Sequence, residues 1–295
     1  MSFDPDIVGR SGPEARVAWS ETDVMLYALA VGAGRDPSRE LQLTTENSEG
    51  ARLQPLPTFG LVLVQRSDRP EMDSWDPARA VHGEQQIAIR RPLPAAGSLL
   101  IRSTITAVED KGSGALVTVS STARDPDSGS VTFTSDGKIF LRGLGGFGPT
   151  DAKPSTTPWV APEGEPALSL RSETRADQAL LYRLLADRNP LHSDPAFARR
   201  AGYERPILHG LCTYGSAVRE LINALCDGDP RRVSAVDGRF SRPLYPGTGI
   251  TVNTWTDGPG AVRFQAVDDA GAVVIDRGRF EFTSGDDADE QGEPI

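Results

Sequence analysis

Residues 171–190 read RSETRADQALLYRLLADRNP, and residues 19–37 read WSETDVMLYALAVGAGRDP. Both stretches carry Ser-Glu-Thr, then an apolar helical run with a tyrosine, then a polar turn that closes on proline. Ser20 and Ser172 have the side chain of an N-cap, since a serine oxygen takes up a free amide of the turn that follows. The pattern predicts a helix after each serine, the second running from Ser172 to about Asp187. A chain that says the same thing twice at this length is a duplicated domain; the period is too long for a solenoid.

A second echo lies outward of the first. VHGEQQIAIRRPLPAAGSLL (81–100) and VDGRFSRPLYPGTGI (236–250) share Val-x-Gly, Arg-Pro-Leu and a closing glycine. After each come runs rich in Val, Thr, Ile and Phe: LLIRSTITAVED, ALVTVSSTARDP and VTFTSDGKIFLRG, then ITVNTWTD, AVRFQAVDD and VVIDRGRFEFT. Turn sequences such as DKGSG, DPDSG and DDAG separate them, as in antiparallel meanders. Each copy therefore reads as a helical region followed by several antiparallel strands, an α+β unit. A helix with a curled antiparallel sheet, used twice, fits a double hotdog. The expected boundaries are residues 1–148 for the first repeat, a Pro/Gly-rich linker over 149–166, the second repeat over 167–284, and an acidic tail over 285–295 with no apolar pattern.

Bulk composition narrows the classes. Of 295 residues, 38% are hydrophobic and 24% charged, which suits a globular enzyme or binding protein. A net charge of −10 argues against nucleic acid or anionic lipid as partner. No stretch reaches the ~18 apolar residues of a membrane span. The opening MSFDPDIVGRSG has no basic and apolar regions of a signal peptide. Cys212 and Cys226 lack metal-type spacing and read as semi-buried free thiols, in keeping with a reducing cytoplasm. Only three lysines occur, Lys111, Lys138 and Lys153, so each is easy to weigh; the short arginine clusters IRRP and DPRRV form no basic stripe.

The copies diverge at their turns. The first reads AGRDPSREL; the second reads ADRNPLHSDP, with Asp187 and His192 five positions apart. On one continuous helix that spacing separates two side chains by about 140° around the axis. Pro190 changes this, because it disfavours helical backbone at Asn189 and has no amide to donate. The chain should fold back at Leu191-His192, and a new short helix should start with Asp194 as cap, Pro195 at its first position and Gly202 as its stop. An acid and an imidazole can then converge. The alternative is that Asp187 and Asn189 only cap the turn and His192 is an ordinary loop histidine.

The three histidines, His82, His192 and His209, all lie in glycine- or proline-marked turns rather than on core faces. In ERPILHGLCTYGSAVRELINAL, His209-Gly210 stands just before a strongly helical run, where a glycine amide at a helix N-terminus suits an oxygen that becomes negative.

D-R-N-P-L-H followed by I-L-H-G-L-C-T-Y-G resembles the signature of the MaoC-like (R)-specific enoyl-CoA hydratases. The two-copy length and V-H-G-E-Q resemble the hydratase 2 group within them, over nearly all of residues 15–283. The resemblance implies that Asp187 and His192 are the catalytic acid and base, that Asn189 supports them, and that the Gly210 amide binds the thioester oxygen. It also implies ligand contacts at His82, Gly83 and Phe240, at Lys111 near the coenzyme A moiety, and along the turn at Arg188, Pro190 and Leu191. Ala186 departs from the family, which commonly has glycine before the aspartate. In the family the first repeat lacks the catalytic turn and accommodates the acyl chain, as the missing histidine and the irregular NSEGARLQPLPTFG agree.

The implied reaction is reversible hydration of a trans-2-enoyl thioester of coenzyme A or acyl carrier protein to the (R)-3-hydroxyacyl product. It asks for no metal and no cofactor beyond the coenzyme A of the substrate, and family analogy adds a homodimer. A hotdog thioesterase, a non-catalytic acyl-thioester-binding protein, or a metal hydrolase on Asp187, His192 and His209 are the alternatives. The last is weakened by its two histidines standing 17 positions apart, with no compact pair on one helix.

Overall fold

Two runs of strands and helices in the same order fill the described residues, 4–72, 79–148 and 162–283 of the computed structural model. The first comprises β1 (Ala15–Trp19), α1 (Glu21–Ala30), α2 (Leu41–Thr44), α3 (Phe59–Arg66), β2 (Ala80–Ile89), β3 (Gly97–Asp110), β4 (Gly114–Arg124) and β5 (Val131–Arg142). The second comprises β6 (Leu168–Ser172), α4 (Gln178–Tyr182), α5 (Pro195–Arg200), α6 (Gly210–Leu225), β7 (Val233–Phe240), β8 (Ile250–Thr256), β9 (Ala261–Asp268) and β10 (Val273–Phe282). The expected tail over 285–295, and the linker as far as residue 161, lie outside the described residues.

All ten strands form one antiparallel sheet in the order β1-β3-β4-β5-β2-β7-β10-β9-β8-β6. Each repeat contributes five strands in equivalent order, and the halves meet where β2 pairs with β7, from Glu84 opposite Arg239 to Ala88 opposite Ala235. The seam is thus built from the two segments that echo one another in sequence. The architecture is a double hotdog.

The central helix of the second repeat, α6, is buried without interruption from Leu211 to Arg219, and again at Leu221 and Ile222. A helix buried on every side has the sheet wrapped around it rather than beneath it. Its contact with α1 is close: a Cβ on Gly215 would stand 2.6 Å from the Tyr27 hydroxyl and 2.7 Å from Val31. Arg219 enters this core and is met by Glu40 of the first repeat at 2.6 Å, by Glu220, and by the Val31 carbonyl. A buried guanidinium is tolerable only with its donors satisfied in this way.

Ser20 caps α1 as expected, in a reciprocal capping box with Asp23, a device contributing about 1 kcal/mol. Ser172 does not cap. It ends β6, paired with Ile250, and its hydroxyl accepts from Arg219. The predicted helix over 172–187 shrinks to α4, because residues 173–178 are held elsewhere. Thr174 donates to the Thr248 carbonyl, and the Gln178 side chain bonds the Arg175 amide and, across the repeats, the Ala30 carbonyl. Cys212 and Cys226 are free and buried.

The repeats differ where it matters for a ligand. α3 precedes β2 as α6 precedes β7, yet it spans 8 residues against 16. The shorter helix leaves part of the concave face of β2–β5 uncovered, and a cavity of about 630 Å³ lies there.

Candidate active site

The turn 187–195 is built by three successive local bonds. Asp187 Oδ1 accepts from the Asn189 amide at 3.1 Å, Asn189 Oδ1 from the Leu191 amide at 3.0 Å, and Asp194 Oδ1 from the Ala196 amide at 2.8 Å. Pro190 opens a single 3-10 turn over Pro190–His192, and α5 follows with Asp194 as cap and Pro195 in its first turn. Asp187 and Asn189 therefore do act as local caps. The same bends also bring Asp187, Asn189, Pro190, Leu191 and His192 to the cavity wall, so capping does not keep these residues from it.

Asp187, His192 and His209 each present a ligand atom within 4.8 Å of the other two. His192 Nδ1 lies 2.9 Å from the Ile207 carbonyl, which can only accept, so Nδ1 carries the proton and Nε2 offers a lone pair. His209 Nε2 is fixed in the same way by the Asp187 carbonyl at 3.1 Å. The two imidazoles stack with centroids 3.7 Å apart and planes 26° from parallel, and Tyr182 packs on the far side of His209 at 4.8 Å. These three residues are also the set that could hold a divalent ion. Stacked rings, however, send their in-plane lone pairs along separate planes, a poor arrangement for sharing one metal at about 2 Å.

Burial raises the Asp187 carboxyl, but the His209 ring, the Asn189 amide, the His192 ring and Arg69 outweigh it and hold it below the ordinary carboxylate value. Burial lowers His192, against the Ile207 carbonyl and Asp187, which favour its charged form. Burial and the neighbouring His192 push His209 down to about 3. At neutral pH the centre is one carboxylate facing neutral imidazoles, which is a proton acceptor in waiting.

Gly210 begins α6 at the cavity wall. Among the described residues its amide donates to no partner, as the first amides of a helix do not. A Cβ here would stand 3.3 Å from the Phe240 ring, so glycine lets Phe240 lie against the helix start. Phe240 in turn packs edge-on to His82 at 5.0 Å. His82 lies within strand β2 rather than in a turn, correcting the sequence reading. A register irregularity between His82 and Glu84 supplies the glycine-marked kink, and bulges of this kind re-aim side chains. His82 lines the main cavity, with its Nε2 buried and unpartnered, while Gly83 lines a second cavity of about 420 Å³. Burial pushes the His82 ring down to about 4.

The second cavity also holds Lys111, Lys138, Arg239 and Arg277, and Phe240 lines both cavities. Lys111 sits on the β3–β4 turn, 2.8 Å from Glu109. That turn is pinned by Asp110, whose carboxylate accepts from the amides of Gly146, Gly148 and Gly112 and is thereby held down at about 2. Arg188 is exposed and lines neither cavity. His209, which the sequence groups with Asp187 and His192 only as a metal set, lines the main cavity, as do Gln85 and Ser135, which the sequence does not single out. For His209 the signal was its place directly before the helix-opening Gly210; for the other two there was none.

Residues 18–143 match the family model described as the MFE-2 hydratase 2 N-terminal domain, and residues 157–277 match the MaoC like domain. The chain is similar to 3-hydroxyacyl-thioester dehydratase Y of Mycobacterium tuberculosis, with 38% identity covering 97% of this chain and 100% of that protein. The chain belongs to the MaoC-like hydratase 2 family. Peroxisomal enoyl-CoA hydratase 2 of Arabidopsis thaliana is a further relative in this family, 37% identical over 83% of this chain and 84% of its own. Among solved structures, a MaoC-like dehydratase from Phytophthora capsici superimposes with a TM-score of 0.84 at 32% identity, covering 97% and 99% of the two chains. The residues matched by the MaoC like domain include the Asp187-to-His192 turn, and residues of both matched segments line the main cavity. No helix among the described residues is long and apolar enough to cross a membrane.

Proposed function

We propose that this protein catalyses the reversible addition of water to a trans-2-enoyl thioester, giving the (R)-3-hydroxyacyl thioester. The observation that carries the reading is the meeting of Asp187, His192 and the unbonded Gly210 amide at the wall of one cavity large enough for an acyl chain.

The thioester conjugated to the double bond makes C3 electrophilic, and charge collects on the carbonyl oxygen as water attacks. Asp187 and His192 Nε2 hold one water between them and take its proton as its oxygen bonds to C3. A proton is then returned to C2 on the same face. The Gly210 amide donates to the developing enolate oxygen, a donor type whose removal elsewhere costs roughly 2.7–4 kcal/mol. Asn189 keeps the turn in shape, and His209 keeps Asp187 and His192 in place. The second cavity, whose wall carries four cations and Glu84, suits the phosphates of coenzyme A or of a carrier-protein prosthetic group. The chemistry asks for no metal, and the edge-lined sheet suits a homodimer.

Loss of enoyl-thioester absorbance with crotonyl-CoA or decenoyl-CoA, followed by chiral analysis of the product, tests the reading. Formation of the (R)-3-hydroxyacyl thioester is expected. Release of free thiol without hydration would instead make the protein a thioesterase, and inhibition by a chelator would restore the metal alternative.

A further inference from the structure

One rung of the sheet can be followed across the seam. Ser103 pairs with Ser121, Ser121 with Ser135, Ser135 with Ile87, Ile87 with Val236, Val236 with Phe280, and Phe280 with Val262. Directly paired residues point to the same side of a sheet. In the C-terminal repeat the rung is apolar and buried beneath α6 at Val236, Phe280 and Val262, and it ends on the exposed Thr256 of β8. In the N-terminal repeat the same rung carries three hydroxyls, and all three line the main cavity.

These serines are 1%, 2% and 5% exposed in the order Ser103, Ser121, Ser135. Where the second half buries this rung it does so with apolar side chains alone, whereas the first half buries hydroxyls. Ser103 and Ser121 bond each other at 2.8 Å. That bond uses one of their two protons, and among the described residues no acceptor takes the other. The Ser135 hydroxyl has no described partner at all. Two O–H donors therefore face the chamber. The Gln65 side-chain oxygen on the chamber wall is likewise buried and unpartnered.

The rung stands apart from the reacting centre: Asp187, His192 and Gly210 come from the C-terminal repeat, whereas the serines line the same cavity from the N-terminal sheet. On β5, Ser135 is two residues, about 7 Å, from Gly137, and a Cβ on Gly137 would stand 3.7 Å from His82 Nε2. A substrate whose conjugated bond sits at Asp187 and His192 reaches the serines with a later part of its acyl group.

We propose that the acyl group taken by this enzyme carries an oxygen substituent, a hydroxyl or a keto oxygen, which the Ser103–Ser121–Ser135 rung hydrogen-bonds. The proposal rests on the hydratase reading and names its substrate class. A plain alkyl chain strips water from the rung and leaves both donors unmet, whereas an oxygen at that depth satisfies them. Unmet buried donors make polar-lined pockets discriminate strongly against the apolar analogue.

The test uses the full chain with trans-2-dodecenoyl-CoA and a series of isomers, each with one hydroxyl or keto group moved along the distal half of the chain. At one or two adjacent positions kcat/KM should exceed that of the plain chain by about tenfold or more, the worth of one buried hydrogen bond. Ser135→Ala should reduce the preference and S121A/S135A should abolish it, with melting curves showing both variants folded. Plain and oxygenated chains turned over alike by the wild type, or a preference that survives in the double variant, would overturn the proposal while leaving the hydratase reading intact. Hydration of none of the substrates would overturn both.

Discussion

The rings of His192 and His209 stack 3.7 Å apart although they stand 17 positions apart in the chain. Each is also tied by its other face of the problem, its ring N–H, to a backbone carbonyl: His192 to Ile207, His209 to Asp187. One imidazole is thereby left with a lone pair for the reaction, while the other locks the backbone of the residue that supplies the carboxylate. His209→Gln should act through position alone, lowering kcat by about 10²-fold, the cost of roughly 1 Å of misplacement. Steady-state kinetics checks this: KM should stay within a small factor of wild type.

Asp187→Asn and His192→Gln remove the proton acceptors themselves. Each should lower kcat by about 10²–10⁴-fold while leaving the melting temperature near that of wild type. Near-normal hydration of decenoyl-CoA by either variant would refute the assignment.

The same histidines fix the pH response. Burial lowers His192 from its ordinary value of 6.5, so the reactive neutral form persists to lower pH, and the acid limb of kcat/KM should fall below 6.5. Stability follows the same sign. His82 and His209 titrate at about 4 and about 3 in the folded chain and near 6.5 when unfolded. Below 6.5 the unfolded chain binds protons that the folded chain refuses, so stability is full at neutral pH and is lost as pH falls from 6.5 toward 4. Thermal melts across that range should show it, and His82→Gln should flatten the slope.

Lys111→Ala tests the basic cavity. A phosphate contact far from the reacting bond is made equally in ground and transition states, so KM should rise with kcat unchanged. A collapse of kcat would show that Lys111 bears on the chemistry.

Gly215→Val probes the packing of α6 on α1. The new side chain would be driven into Tyr27 and Val31, and overpacking of this kind costs about 1–3 kcal/mol. A lower melting temperature, with kcat of the remaining folded enzyme largely kept, is the expected result.

Much of the fold was legible because duplication doubles every signal. The strand runs, their turns, the Ser20 cap and the α5 start all follow from contacts a few residues apart. The misreading of Ser172 has a clear cause. Its Ser-Glu-Thr matches that of Ser20, but pairing with Ile250 and the reach of Gln178 to Ala30 outweigh local helix preference there. A glycine directly after His82 reads as a turn in the sequence, whereas Gly83 marks a bulge inside a strand.

The sequence by itself determined the turn over residues 187–195. Pro190 forbids the helix, and Asp187, Asn189 and Asp194 each bond an amide two residues on, so the bend needs no distant partner. Tertiary structure alone decided what that turn faces: the stacking of His209, the arrival of His82 across the seam, and the serine rung of the chamber. Those depend on strand register and on how far a central helix extends over its sheet, and both are set by packing between segments remote in the chain.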